Sequence, residues 1–414
     1  MSVLDSIRSE SNLSSVTESL SMYALLTLPI VLAIWFSSLY IPRQSHPLRN
    51  DSGFFNSFFA WDGVWYSRIA EKGYPAKSGN HKELAFFPGY PVLARTLAIS
   101  TGLAPNLSLL IVSHLCLAGI YILIPFYVRS GPSAGTQNQE QWTLLALGCF
   151  PTAFFFRMAY SESLFVFLLL ISMYGMRRKW PVLIIAILVG YATACRAVGV
   201  ALLPVLLVHT SRRFATSINR SDRIRAAAKV AFTMLVGAWG IIAMLCFHCW
   251  QYGNPIAFAS VQSNWYLRPL PSLLPHALNL LSGVPLRDVY NSNSPAFWAN
   301  FEYISDPIFS LQFSNPLYVS LSIFLVIFGT WKRWITFEET ILSFGLIFIP
   351  YILHSYQTVM MAQGRYAASV FPIYLILGRI ASQWPPTLAS CLLCSGMAMS
   401  VAYSALFAAW FRMI

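Results

Sequence analysis

Apolar runs, each close to the length of a membrane helix, alternate with short basic turns along most of this chain. A span needs roughly 20 mostly apolar residues. Runs near 21–41, 106–128, 142–157, 160–176, 181–194, 197–210, 230–251, 313–331, 338–354, 366–381 and 387–411 fit, so about eleven transmembrane helices are expected. Arg196 falls inside the stretch 181–209. A charge there belongs at a turn near one face, so this stretch reads as two spans. Short basic loops mark the cytoplasmic side. Arg177-Arg178-Lys179 is one; Arg212, Arg213, Arg220, Arg223, Arg225 and Lys229 form another; Lys332-Arg333 is a third. With these inside, the long polar segments 42–105 and 252–312 lie on the opposite face, as outer loops. So do the turns with Arg157 to Glu162, Arg196, and His354 to Arg365. The polar, Ser-rich stretch 1–19 reads as a disordered cytoplasmic tail, and 20–414 as one transmembrane domain. Within the first outer loop, 54–75 reads as one or two amphipathic interfacial helices. Phe54, Phe55, Phe58, Phe59, Trp61, Trp65 and Ile69 would form their lipid-facing side.

Composition agrees. Of 414 residues, 57% are hydrophobic and 10% charged, against roughly 25% charged in soluble domains. The chain is an all-α polytopic membrane protein on this evidence. Thirteen Trp and twenty Tyr suit many interfacial crossings. The net charge of +12 is explained by basic cytoplasmic loops and a few cations facing an anionic substrate, so no nucleic-acid partner is expected. Cys246/Cys249 and Cys391/Cys394 have CxxC spacing but no second ligand pair nearby, and read as small core residues. The first apolar run is too long for a cleavable signal peptide and reads as an uncleaved span. No internal repeat and no soluble domain is visible.

This topology gathers polar residues from six segments on one face: Asp62, Arg68, Lys82, Glu83, Arg157, Ser161, Glu162, Arg196, Gln262, Gln363 and Arg365. Charges in or beside spans are costly and usually functional. Several lie in recognisable motifs. Trp61-Asp62-Gly63-Val64-Trp65-Tyr66 runs into Ile69-Ala70-Glu71-Lys72-Gly73-Tyr74. Then come Ala85-Phe86-Phe87-Pro88-Gly89-Tyr90-Pro91, Pro151-Thr152-Ala153-Phe154-Phe155 and Tyr160-Ser161-Glu162-Ser163-Leu164. Arg196-Ala197-Val198-Gly199, Tyr252-Gly253-Asn254-Pro255 with Gln262 and Trp265, and Gln363-Gly364-Arg365-Tyr366 with Phe371-Pro372 complete the set. In order, over about 58–375, these resemble the signature of the PIG-V family, the GPI mannosyltransferase 2-like glycosyltransferases. The Arg-Ala-Val-Gly element, the Ala-Phe-Phe-Pro form and the short outer loops look more like its prokaryotic members.

The resemblance implies a GT-C fold. It also implies transfer of a hexose, with mannose the expected sugar, from a polyprenyl- or dolichyl-phosphate donor to a lipid- or glycan-linked acceptor. The second mannose of the GPI anchor, added in the endoplasmic reticulum, is one alternative; an undecaprenyl-type carrier in a bacterial inner membrane is the other. Such a displacement needs a base for the acceptor hydroxyl, cations for the leaving phosphate and a greasy groove for the isoprenoid. Asp62 is the candidate base by position and by resemblance; it could instead cap the helix that follows. Glu83 could orient the acceptor, hold Lys82 or Arg196, or be a solvated loop residue. Arg196 and Arg365, with Lys82 as a weaker partner, are candidate donor-phosphate ligands, since guanidinium pairs bidentately with phosphate; each could equally sit in an internal salt bridge. Trp61, Tyr66, Glu162, Arg157 and Gln262 are candidate substrate-binding residues, although Glu162 could merely favour a helix N-terminus. No acidic pair of the DxD kind appears and the seven His are isolated, so no metal or other cofactor is expected. A transporter or flippase is the reading from another class. It fits less well, because transporters place polar groups at the midplane of repeated halves.

Overall fold

The computed structural model describes residues 10–49, 53–76, 81–131, 135–214, 220–265, 271–298, 309–356 and 360–413. Among them every regular element is helical. The principal helices are α1 (Glu10–Tyr40), α2 (Asp62–Lys72), α3 (Gly89–Thr101), α4 (Pro105–Arg129), α5 (Gln137–Cys149), α6 (Glu162–Arg177) and α7 (Val182–Cys195). They continue as α8 (Leu202–Phe214), α9 (Arg220–Gly237), α10 (Trp239–Tyr252), α11 (Leu311–Trp331), α12 (Phe337–His354), α13 (Gln363–Ala368), α14 (Pro372–Gln383) and α15 (Pro386–Ala408). Local chemistry sets many of the ends. Pro opens α4, α14 and α15, where its missing N–H costs nothing. Thr336 and Glu339 form a reciprocal capping box at the start of α12. Left-handed Gly102 and Gly253 close α3 and α10.

Among the described residues, six helices are long and apolar enough to cross a bilayer, or seven if α9 and α10, bent by 57°, form one broken span. Four further segments expected to span, α5, α6, α7 and α14, are helices of 13, 16, 14 and 12 residues. The break at Arg196 between α7 and the 3-10 turn Ala197–Ala201 lies where the charge required it.

The helices separate two chemically different ends. At one, Arg177 at the C-terminus of α6 pairs with Glu339 at 2.8 Å and stands over the Tyr127 ring. Arg129 pairs with Glu140 at 2.7 Å, and Arg212 with Glu338. The short basic loops therefore meet at this end. Glu162 opens the same α6, fifteen residues away, or about 22 Å at 1.5 Å per residue. Asp62, Arg196 and Arg365 gather around Glu162 at that second end.

Three expectations need correction. Cys246, Cys249, Cys391 and Cys394 are exposed on their helices rather than packed in the core. The stretch 10–19 is not a disordered tail: α1 starts at Glu10 and runs unbroken to Tyr40; residues 1–9 lie outside the described set. The aromatic side of 54–75 does not face lipid throughout. Phe58, Phe59 and Ile69 are buried in the main core with Tyr66, and only Phe55 among the seven is strongly exposed. An amphipathic period shows that one side must be covered, and here α3 and α4 cover α2 while α1 covers the 3-10 turn Phe54–Phe59.

Candidate active site

Asp62 is held by its neighbours before its carboxylate does anything. Trp61 has φ 58°, a left-handed conformation that a bulky residue adopts only under constraint. That turn aims the first residue of α2 inward. The Asp62 backbone N–H donates to Tyr160 Oη at 3.0 Å, and Tyr160 Oη donates to the Ala60 carbonyl at 2.9 Å. Ala159 N–H reaches Phe58 O at 3.1 Å. The Trp-Asp-Gly and Tyr-Ser-Glu motifs are thus stitched together through backbone groups. No side-chain cap closes the N-terminus of α2. Asp62 instead turns its carboxylate to Arg365, with Oδ2 2.5 Å from Nη1.

Beneath this pair lies Glu162, fully buried. Its Oε1 accepts from Arg196 Nη1 and sits 3.1 Å from Arg365 Nε. Arg196 also donates to Ser161 Oγ at 3.2 Å, and Ser161 shares a 2.8 Å hydrogen bond with Tyr66 Oη. Aromatic faces line the guanidiniums: Tyr366 is 5.0 Å from Arg196, and Tyr160 5.4 Å from Arg365. Two carboxylates balance two guanidiniums, so the cluster carries no net formal charge. Burial works against the Arg365 charge, but Asp62 and Glu162 outweigh it and raise its pKa well above the ordinary value.

Two glycines make the convergence possible. A Cβ on Gly364 would stand 2.7 Å from Asn315 Oδ1, which accepts from the Gly364 N–H at 2.8 Å. Thr152 Oγ1 donates to the Gly364 carbonyl at 2.8 Å, so the Gln-Gly-Arg turn lies flat against α11 and presents Arg365. A Cβ on Gly89 would stand 2.9 Å from the Ala194 and Cys195 backbone. This close approach brings Phe86 and Phe87 beside Arg196.

Two clefts meet at Asp62. The first, with about 910 Å³ of empty space, has Arg196 and Arg365 in its lining; Tyr66, Phe86, Phe87, Phe258, Gln262 and Leu353 are among its walls. It runs toward the end of α12, where Ile352 and Leu353 are exposed. The second, of about 1060 Å³, is bounded by the loop Gln44–Leu48, Trp61, Trp65, Lys82, Trp410 and Arg412. Asp62, Trp265 and Met361 line both.

The expected residues therefore divide. Asp62, Tyr66, Arg196, Gln262 and Arg365 line the first cleft, and Glu162 underlies it. Trp61 and Lys82 line the second cleft, not the one with the arginines. Glu83 lines neither; its carboxylate stands 3.7 Å from Arg68, not beside Lys82 or Arg196. Arg157 lines neither cleft. It is fully buried in the core, where Nε donates to Thr27 Oγ1 at 3.2 Å and Nη1 to Ala153 O at 3.1 Å. The polar pattern also passed over Tyr160, His354, Tyr366, His46, Trp410 and Arg412. Only Tyr160 and Tyr366 carried a signal, a hydroxyl two positions before Glu162 in one case and next to Arg365 in the other.

Among the described residues no three His, Cys, Asp or Glu side chains gather as a metal-ligand set. No curated protein matches the chain. The family model for mannosyltransferase (PIG-V) matches residues 47–388, a range that contains every residue of the Asp62–Glu162–Arg196–Arg365 cluster and most of the helices. This multi-pass integral membrane protein belongs to the PIG-V family of mannosyltransferases.

Proposed function

We propose that the protein moves mannose from a polyprenyl-phosphate donor to an acceptor hydroxyl by a single inverting displacement. The acceptor oxygen forms a bond to the anomeric carbon, and the bond from that carbon to the phosphate oxygen breaks. The electron pair leaves with the lipid phosphate, and the acceptor proton goes to Asp62. The observation that carries this reading is the position of Asp62 on the wall between two clefts, one of which holds two buried guanidiniums. Arg196 and Arg365 would take the donor phosphate, whose charge they stabilise as it develops. Within the cluster Arg365 is engaged by Asp62. A phosphate that draws Arg365 toward the first cleft would loosen that pair and leave Oδ2 available for a proton. Phe86, Phe87, Phe258 and Leu353 offer an apolar path for the isoprenoid toward the exposed side of α12.

As Asp62 takes the acceptor proton the cluster gains one surplus positive charge facing the leaving monophosphate, so the reaction is proposed to need no metal. Detergent-purified protein is given undecaprenyl- and dolichyl-phosphate [³H]mannose side by side, with membrane lipid extract and EDTA. Label should move from one carrier to a new product in the presence of EDTA. No consumption of either donor overturns the reading. Loss in chelator that manganese restores overturns its metal-free form.

A further inference from the structure

Outside both clefts, the long segment after α10 contains a short helix, Leu273–Leu281, whose two sides are arranged against the usual sense. Leu273, Leu274, Leu278 and Leu281 share one side and are 56–88% exposed. The polar contacts are on the other side, against the end of α12. The His276 ring lies 4.7 Å from the Tyr356 ring, and Asn279 Nδ2 donates to Tyr356 Oη at 3.1 Å. Tyr351 Oη donates to the Leu280 carbonyl at 3.0 Å, and the Leu280 side chain packs on the main core. A surface helix in water turns its apolar side to the protein. This one turns its leucines outward, and it contains no Asp, Glu, Lys or Arg.

Depth along α12 decides what covers those leucines. This span leaves the basic end at Phe337, beside the Arg212–Glu338 pair. Tyr351 is fourteen residues further along it, or about 21 Å at 1.5 Å per residue. The hydrocarbon of a bilayer is about 30 Å thick. A helix held by Tyr351 therefore lies at the far edge of the hydrocarbon rather than above it in water, and any tilt of α12 sets it deeper. Ile352 and Leu353, next to Tyr351, are exposed at the same level, so the leucines continue the surface that α12 presents to lipid. A second copy of the chain fits less well: four leucines on nine residues fall short of the roughly 800 Å² per partner of a standard interface. We propose that Leu273–Leu281 is an interfacial anchor whose four leucines sit among the acyl chains of the non-cytoplasmic leaflet. Its inner side holds the part of α12 that supplies Ile349, Pro350, Leu353 and His354 to the first cleft. The anchor thus ties one wall of that cleft to the lipid surface.

The test reads position and not turnover, so the transfer reaction stands or falls separately. The full chain is placed in phosphatidylcholine nanodiscs, one copy per disc. The five cysteines that are not buried, Cys116, Cys246, Cys249, Cys391 and Cys394, are first changed to Ala. An environment-sensitive fluorophore is then attached at Leu278→Cys, at Leu281→Cys as a second point on the same side, and at Asn293→Cys, an exposed position in the same segment. Iodide quenching at 278 and 281 should be about 10-fold weaker than at 293, because an ion is excluded from hydrocarbon. Phosphatidylcholine with a nitroxide on its acyl chain should quench 278 and 281 and leave 293 bright. Iodide access at 278 and 281 equal to that at 293 overturns the anchor. Protection from both quenchers also overturns it, since protein then covers the leucines. So does nitroxide quenching that appears only after undecaprenyl phosphate is added, which would assign the leucines to the donor lipid instead of the bilayer.

Discussion

Glu162→Gln isolates the electrostatics that assemble the site. The substitution keeps the shape of the side chain and removes its charge. Glu162 is fully buried, and one oxygen serves both Arg196 and Arg365. Without it the cluster goes from neutral to one surplus positive charge, with Asp62 the remaining acid. Breaking a buried pair costs about 3–5 kcal/mol, because the partner is left desolvated and uncompensated. That is a large part of a total stability of roughly 5–15 kcal/mol. At roughly 2 °C per kcal/mol, a figure suited to a long chain, Tm should fall by about 6–10 °C. Glu83→Gln is the internal control: its pair with Arg68 is 3.7 Å long and the arginine is 43% exposed, so its loss should cost under about 1 kcal/mol. Fluorescence-monitored thermal unfolding in one detergent reads both. The double variant Glu162→Gln/Arg196→Met should lose less than the sum of the singles, since it removes a charge along with its partner. A Glu162→Gln shift no larger than that of Glu83→Gln, or strict additivity with Arg196→Met, would refute this account of the cluster.

Arg365→Lys keeps a charge but cannot span Asp62 and Glu162 together, so donor half-saturation should rise about 10–100-fold, with a larger loss for Arg365→Ala; unaltered donor kinetics in both would remove Arg365 from the donor site. Arg157→Met should leave donor half-saturation at the wild-type value, because Arg157 reaches Thr27 and Ala153 rather than either cleft. A donor defect from Arg157→Met at wild-type Tm would contradict its placement in the core.

The charged part of the site was legible because charge is conspicuous in an apolar chain. Asp62, Glu162, Arg196 and Arg365 are expensive at bilayer depth, and alternation of basic loops placed all four at one end. The same reasoning could not separate Arg157 from Arg196. Each is an arginine at a helix boundary, and only packing sends one to Thr27 and the other to Glu162. Tyr160 was illegible as a functional residue for a related reason: its ring reads as core, and only the fold points its hydroxyl at the Asp62 backbone. Aromatic residues at helical spacing in 54–69 announced a covered face without saying whether lipid or protein covers it. The second cleft is built from 44–48 and 410–412, short irregular segments with no period, so nothing in the sequence pattern joined them to Asp62.

The central claim is that Asp62, at the junction of the two clefts, is the base. Asp62→Asn retains an oxygen that can accept from Arg365 and removes the capacity to take a proton. Turnover of the labelled donor by the purified variant, measured beside its donor binding and Tm, is the most direct test. Turnover is expected to fall by about 10²–10⁴-fold, with donor binding near wild type and a Tm loss smaller than that of Glu162→Gln. Near-wild-type turnover in a folded, donor-binding Asp62→Asn protein would contradict the account and move the search for the base to another acid.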